Sequence, residues 1–139
     1  MSTVIITGSR SIRDPAIVAK AIEVAVTGPW GAYSTIAEVT ELWHGGAKGV
    51  DLLAAEWAKS RGITPRAFDV TPAEWEASKF LAGKRRNYRM MREAAKDGRH
   101  AVVVAVYDCV SGGTANAVTF AVHFQLPVYV ELVRVGGAR

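Results

Sequence analysis

Residues 39–54, Val39-Thr40-Glu41-Leu42-Trp43-His44-Gly45-Gly46-Ala47-Lys48-Gly49-Val50-Asp51-Leu52-Leu53-Ala54, hold a strand, a glycine turn and the start of a helix. Val39–His44 reads as a strand, and Val50, Leu53, Ala54 and Trp57 recur at helical spacing until Gly62 stops the helix. The same order stands upstream. Thr3–Thr7 is a β-branched run ending at Gly8, and Asp14 caps a helix with Pro15 at its first position. Ile17, Val18, Ala21, Ile22 and Ala25 share one face of that helix. Downstream, Thr64–Val70, Ala101–Val106 and Val128–Leu132 read as strands. Helices are expected over Arg85–Lys96, stopped by Gly98, and near Thr114–Phe124. Residues 71–83 show no clean period, and Trp30 and Tyr33, in the loop from Gly28 to Thr35, have no assignment. Such alternation predicts an α/β fold, a Rossmann-like three-layer sandwich on a mainly parallel five-stranded sheet of order 3-2-1-4-5.

The 139 residues suit a single domain over 1–139, and half of them are apolar, enough for a sizeable core. Seventeen basic against 13 acidic residues leave a charge of +4, which favours an anionic partner without separating DNA from a small phosphate ligand. Cys109 is the only cysteine, so no internal disulfide forms. No apolar run reaches the ~20 residues needed to cross a bilayer. The chain passes at once into Val4-Ile5-Ile6 without a charged leader, so a cytoplasmic protein is expected.

In an open parallel sheet, ligands sit beyond the carboxyl ends of the strands, where strand order reverses. Glycines and small polar residues gather at those ends here. Gly8-Ser9-Arg10 follows the first strand, Gly45-Gly46-Ala47-Lys48-Gly49-Val50-Asp51 the second, and Ser111-Gly112-Gly113-Thr114 the fourth. Glycine lets backbone N–H groups approach a ligand, and the next helix N-terminus adds unpaired donors and partial positive charge. Each anionic contact there is worth about 0.3–1 kcal/mol when exposed. None of the loops matches the dinucleotide fingerprint or the P-loop, since Lys48 precedes its glycine.

Arg85, Arg89, Arg92 and Lys96 form one stripe of the helix expected from Arg85, with Tyr88, Met91, Ala94 and Ala95 facing the core. Arg86 and Asn87 then point inward at that helix's N-terminus, suited to a phosphate and a ribose or base edge. Asp51 either complements the dipole of its helix or accepts from ribose hydroxyls. Trp43, Trp57 and Trp75 read as core or groove-wall aromatics. Of the scattered histidines only His44 lies near the presumed crevice. No spacing suggests a metal site, no cofactor is expected, and Ser9 lacks a base partner.

The set Gly8-Ser9-Arg10, Gly45-Gly46-Ala47-x-Gly49-Val50-Asp51, Ala82-Gly83-x-x-Arg86-Asn87-x-x-Met90 and Ser111-Gly112-Gly113-Thr114 resembles the SLOG superfamily, which unites the DNA-processing protein DprA with the LOG nucleotide phosphoribohydrolases. The most similar branch is that of the YpsA/YspA-like proteins of bacteria and phages. The resemblance implies a Rossmannoid domain that binds nucleotides or derivatives such as ADP-ribose relatives, often as a homo-oligomer. It implies ligand contacts at the glycine loops and at Arg86 and Asn87. Lys79 stands one residue from a lysine common in this branch, and Lys84 stands where a proline is usual. Aligning the paired glycines puts Ala115 and Asn116 at the phosphoribohydrolases' second glycine and threonine, and Thr119 at their glutamate. The carboxylate of that class is therefore missing, with Asp51, Glu56 and Asp108 as substitutes.

The residues thus predict a binder of a phosphate-bearing nucleotide or nucleotide-derived ligand, NAD-related or a nucleoside monophosphate, acting as sensor, sequestering or processing protein. The alternatives are a nucleotide N-glycosidase and a single-stranded DNA-binding protein. Whether the ligand is turned over stays open. Each reading requires Gly8, Gly46 and Gly113 to meet at one rim.

Overall fold

A computed structural model describes residues 2–29, 31, 35–96 and 100–134, the side chain of Phe80 excepted. The chain runs β1 (Ser2–Gly8), α1 (Pro15–Thr27), a 3₁₀ turn (Ile36–Glu38), β2 (Glu41–His44), α2 (Val50–Ser60) and β3 (Thr64–Ala67). It continues through α3 (Pro72–Ala77), α4 (Lys79–Lys96), β4 (His100–Tyr107), α5 (Gly112–His123) and β5 (Val128–Leu132). The strands form one parallel sheet in the order β3-β2-β1-β4-β5, as the alternation of patterns predicts. The order reverses between β1 and β4.

Side chains leave opposite faces of each strand in turn, which sorts the core into two layers. Val4 and Ile6 of β1 pack with Val18 and Ile22 of α1 and Ala54 and Trp57 of α2. Ile5 of β1 and Val103 of β4 face the other way, toward Met90, Met91 and Ala94 of α4 and Ala117 and Ala121 of α5. Trp43 of β2 is fully buried in this second layer, its ring 5.1 Å from that of Phe68. No described helix is long and apolar enough to cross a membrane.

Local signals explain most helix ends. The Asp14 carboxylate accepts from the Ala16 amide, and Gly62 leaves α2 at a φ of +72°. The main departure from expectation lies in residues 71–96. Two helices fill the segment without a clean period, and α4 starts at Lys79 instead of Arg85. Thr71 and Glu74 form a reciprocal capping box for α3, and Ser78 Oγ accepts from the Leu81 amide at the head of α4. Gly83 then sits inside a helix rather than at its boundary. Tyr88, expected in the core, is 41% exposed and packs against Phe120 and Phe124, while Met90 is buried in its place. β2 and β3 are also shorter than their apolar runs suggest. Trp30, Tyr33 and the helix stop at Gly98 lie outside the described residues.

Trp43→Ala removes the largest fully buried side chain of the second layer. It should cost about 3–5 kcal/mol, read as a lower midpoint in urea unfolding with the fold retained at zero denaturant.

Candidate functional site

A cleft of about 840 Å³ opens at the carboxyl ends of β1, β2 and β4, over the point where strand order reverses. Gly8, Arg10 and Ser11 line it from the first loop, Gly45, Ala47 and Asp51 from the second, and Asp108 with Ser111–Thr114 from the fourth. α3 and α4 close the remaining side with Trp75, Lys79, Gly83, Lys84, Arg86, Asn87 and Met90. An adjoining lobe of about 610 Å³ runs outward past Gly46 and Asp69–Pro72. The loops carrying Gly8, Gly46 and Gly113 thus meet at one rim.

Hydrogen bonds tie these walls into a ring. Ser9 Oγ, buried, accepts from the Asp108 amide at 3.0 Å, and Ser11 Oγ donates to Asp108 Oδ2 at 2.8 Å. Asp108 Oδ1 accepts from the amides of Val110 and Ser111 and from the Ser111 hydroxyl, which shapes the approach to α5. Asn87 Nδ2 donates to Asn116 Oδ1 at 3.1 Å and to the Gly113 carbonyl at 3.4 Å, joining α4 to α5. Arg86 Nε donates to Asn87 Oδ1 at 2.8 Å, while its Nη1 donates to the carbonyls of Gly45 and Phe68. Asp51 Oδ2 accepts from the amides of Gly45 and Ala47 at 3.0 and 3.3 Å. Gly49 completes the circuit by packing on the first loop. A Cβ there would stand 2.8 Å from Arg10 Cα, and its φ is +82°.

The electrostatics are uneven around this ring. Burial pushes the Asp51 carboxyl up to about 6, against the pull of the Ala47 and Gly45 amides, Arg86 and Arg10. At neutral pH it is still mostly ionised and answers the positive end of α2 from within the chain. Burial also holds His44 below its usual value, and its Nδ1 accepts from the Gly46 amide at 3.0 Å, so the ring serves the loop in its neutral form. Partial desolvation works to raise Asp108, but the amides and hydroxyls around it outweigh that and keep it well below the carboxylate range. The N-terminus of α5 is different. Ser111 makes no side-chain cap, and the first turn carries no acidic residue. Among the described residues the amides of Gly112, Gly113 and Thr114 find no protein acceptor. No group of three or more His, Cys, Asp or Glu residues among the described ones forms a metal-ligand set.

Of the residues expected at a ligand, Gly8, Arg10, Gly45, Ala47, Asp51, Arg86, Asn87, Ser111, Gly112, Gly113 and Thr114 border the main cleft, and Gly46 borders the outer lobe. Ser9 and Gly49 border neither; they hold loop on loop. Arg86 and Asn87 sit two turns inside α4 rather than at its N-terminus, because the helix begins six residues earlier than expected. Sequence reasoning missed Asn116 as a wall residue, while Trp75, read as a core or groove-wall aromatic, stands in the cleft wall. The buried Asn87 needs a partner, and that need was the available signal for Asn116. The basic stripe of α4 is exposed, but Arg89 is engaged by Glu74 at 3.0 Å and by the Asp69 carbonyl.

The YspA, cpYpsA-related SLOG family matches residues 2–77 of the chain. The Gene 61 protein of Mycobacterium phage D29 is 36% identical over 100 residues, which cover 68% of this chain and 72% of that protein. No solved structure matches the chain.

Asp51 makes stability depend on pH in a defined direction. Its folded-state carboxyl keeps its proton to about 6, against an ordinary value of 3.8, so ionisation above pH ~4 costs the folded state stability. Asp51→Asn has no such loss. It should gain stability relative to wild type as pH rises from about 4 to about 6, by up to roughly 3 kcal/mol, and level off above. The buried His44 opposes this trend equally in both proteins and cancels in the difference. Urea unfolding across that range checks the sign.

Proposed function

The chain belongs to the YspA, cpYpsA-related SLOG family, and from that premise we propose that it binds a phosphate-bearing nucleotide or nucleotide-derived ligand in the cleft. We read residues 1–139 as one nucleotide-binding domain serving as sensor, sequestering or processing protein. The observation that carries this reading is the unanswered N-terminus of α5 facing a cleft bordered by Arg10, Lys79, Lys84 and Arg86. Three free amides at a helix start, with cations opposite, form an anion site of the kind phosphates occupy. Asp51 and Asp108 share the walls, and as acceptors they suit ribose hydroxyls better than phosphate oxygens. ADP-ribose, NAD and nucleoside monophosphates all combine these chemistries in a size that fits the cleft.

A second reading, nucleotide N-glycosidase, is favoured by one observation, a cleft carboxyl whose proton affinity lies near neutrality. Water would add to the ribose C1′ as the bond to the base breaks. Asp51 would take the water's proton, and the base would leave with a proton from solvent. α5 supplies no carboxylate, since Thr119 is exposed and its hydroxyl donates to the Ala115 carbonyl. Incubation with AMP followed by chromatography for free adenine tests this. Turnover that disappears in Asp51→Asn supports it, and its absence at high protein concentration retires it.

Calorimetric titration with AMP, ADP-ribose and NAD tests the binding reading, and at least one should bind. Gly113→Asp places a carboxylate at the α5 N-terminus, where a Cβ meets no atom within 4 Å. The fold should be unchanged or stabilised by about 0.3–1 kcal/mol. Ligand affinity should fall more than tenfold. Failure of every phosphorylated nucleoside to bind wild type would overturn the proposal.

A further inference from the structure

The main cleft and its outer lobe share a seam, and Trp75 and Gly83 both border it. Two features there go unexplained by packing. Trp75 is 47% exposed on a short helix, α3, that has no buried residue. Glu74, its neighbour, caps that helix through the Thr71 amide at 3.0 Å and pairs with Arg89 of α4 at 3.0 Å. The helix that carries the indole is thus capped and tied to α4, and the indole stands half exposed at the seam. An aromatic face exposed beside a cleft offers a planar surface on which a ligand ring can stack.

Gly83 is the second feature. It lies inside the 18-residue helix α4, where glycine is less favourable than any residue but proline. No neighbour demands it, since a Cβ built there meets no atom within 4 Å, and it has no left-handed φ. Gly8 is the contrast, for a Cβ there would overlap the Val50 side chain. At Gly83 the helix instead presents bare backbone to the cleft on the seam that Trp75 borders.

We propose that the indole of Trp75 and the bare backbone of Gly83 form a slot for the planar base of the ligand. The inference rests on the reading of the cleft as a nucleotide site and adds where the base lies. The phosphate takes the α5 end of the cleft and the base the α3–α4 seam. Stacking on an aromatic face tolerates every base, so the slot contributes affinity for nucleotides over sugar phosphates rather than choice among bases.

The test compares the 5′-monophosphates of adenosine, guanosine, cytidine and uridine with ribose 5-phosphate, each followed by chemical-shift titration into the millimolar range. The tightest mononucleotide should bind wild type at least tenfold more strongly than ribose 5-phosphate. Trp75→Ala should remove that advantage and leave ribose 5-phosphate binding unchanged, while Trp75→Phe keeps most of it. Gly83→Ala should raise the melting temperature yet weaken the mononucleotide severalfold. The slot is refuted by nucleotides binding no better than ribose 5-phosphate, by Trp75→Ala affecting both ligands alike or neither, or by Gly83→Ala leaving nucleotide affinity intact. In those cases ribose 5-phosphate still binds. Loss of all binding, ribose 5-phosphate included, would instead sink the phosphate reading beneath it.

Discussion

Arg86 and Asn87 stand side by side on α4, and between them they reach the second loop, the end of β3 and the head of α5. A guanidinium cannot discard its proton when buried, so its N–H groups must find acceptors, and here backbone carbonyls supply them. The planar fork fixes where those carbonyls lie, which fixes the path of Gly45 above the sheet. Asn87 adds direction, since its oxygen takes the Arg86 Nε–H and its amide is left to face α5. Losing either side chain would strand buried polar atoms on several elements at once, each at a cost of about 1–3 kcal/mol. The cleft therefore keeps its shape because α4, packed on the sheet through Met90, Met91 and Ala94, is also clamped to the loops by these polar contacts.

The sheet order and the two-layered core were legible because buried parallel strands announce themselves as β-branched runs and because the helices of α/β units carry plain apolar stripes. The site was legible only in outline. Ser9 and Gly49 look like ligand residues in sequence, since small residues at strand ends serve equally to admit a phosphate or a neighbouring loop. The structure separates those uses, with Ser9 Oγ on the Asp108 amide and Gly49 against Arg10. Asp51 shows the same limit. Its place in the first turn of α2 suggests a dipole partner, but the carboxylate also turns back to hold the amides of the loop that precedes it. Nothing in the spacing of one residue to the next reveals that return. The start of α4 was hidden by Gly83 and by the lack of a clean period over residues 71–83, and with it the arrival of Lys79 at the cleft.

That return of Asp51 divides the labour of the two helix starts. Both α2 and α5 point their N-termini at the rim, and from sequence they look interchangeable. In the fold the positive end of α2 is already met by an internal carboxylate, which also repels a second anion at short range. At the α5 end no acid stands in the first turn, and Asp108 spends its oxygens on Ser11 and on the amides of Val110 and Ser111 that precede the helix. The second loop is thus a wall held in shape from within, and the fourth is the one that the proposed anion would meet.

Glycines sort by the same criterion. Gly8 and Gly49 are required by atoms of this chain that occupy the place of a side chain, and substitution there would strain the contact of loop on loop. Gly83, Gly112 and Gly113 are required by nothing in the chain, for no atom lies within 4 Å of a Cβ built at any of them. Inside a helix glycine forgoes about 1 kcal/mol relative to alanine, and Gly83 stands there. Gly83 accepts that loss inside α4, and Gly112 and Gly113 open α5, all around one cleft and with no internal steric reason; close approach of the proposed ligand to the backbone would account for them. Among the described residues the amides are unpaired at Gly112 and Gly113 and already used within the helix at Gly83. On the proposed reading the first would meet an oxyanion and the second a planar ring, one ligand with a different chemistry at each end.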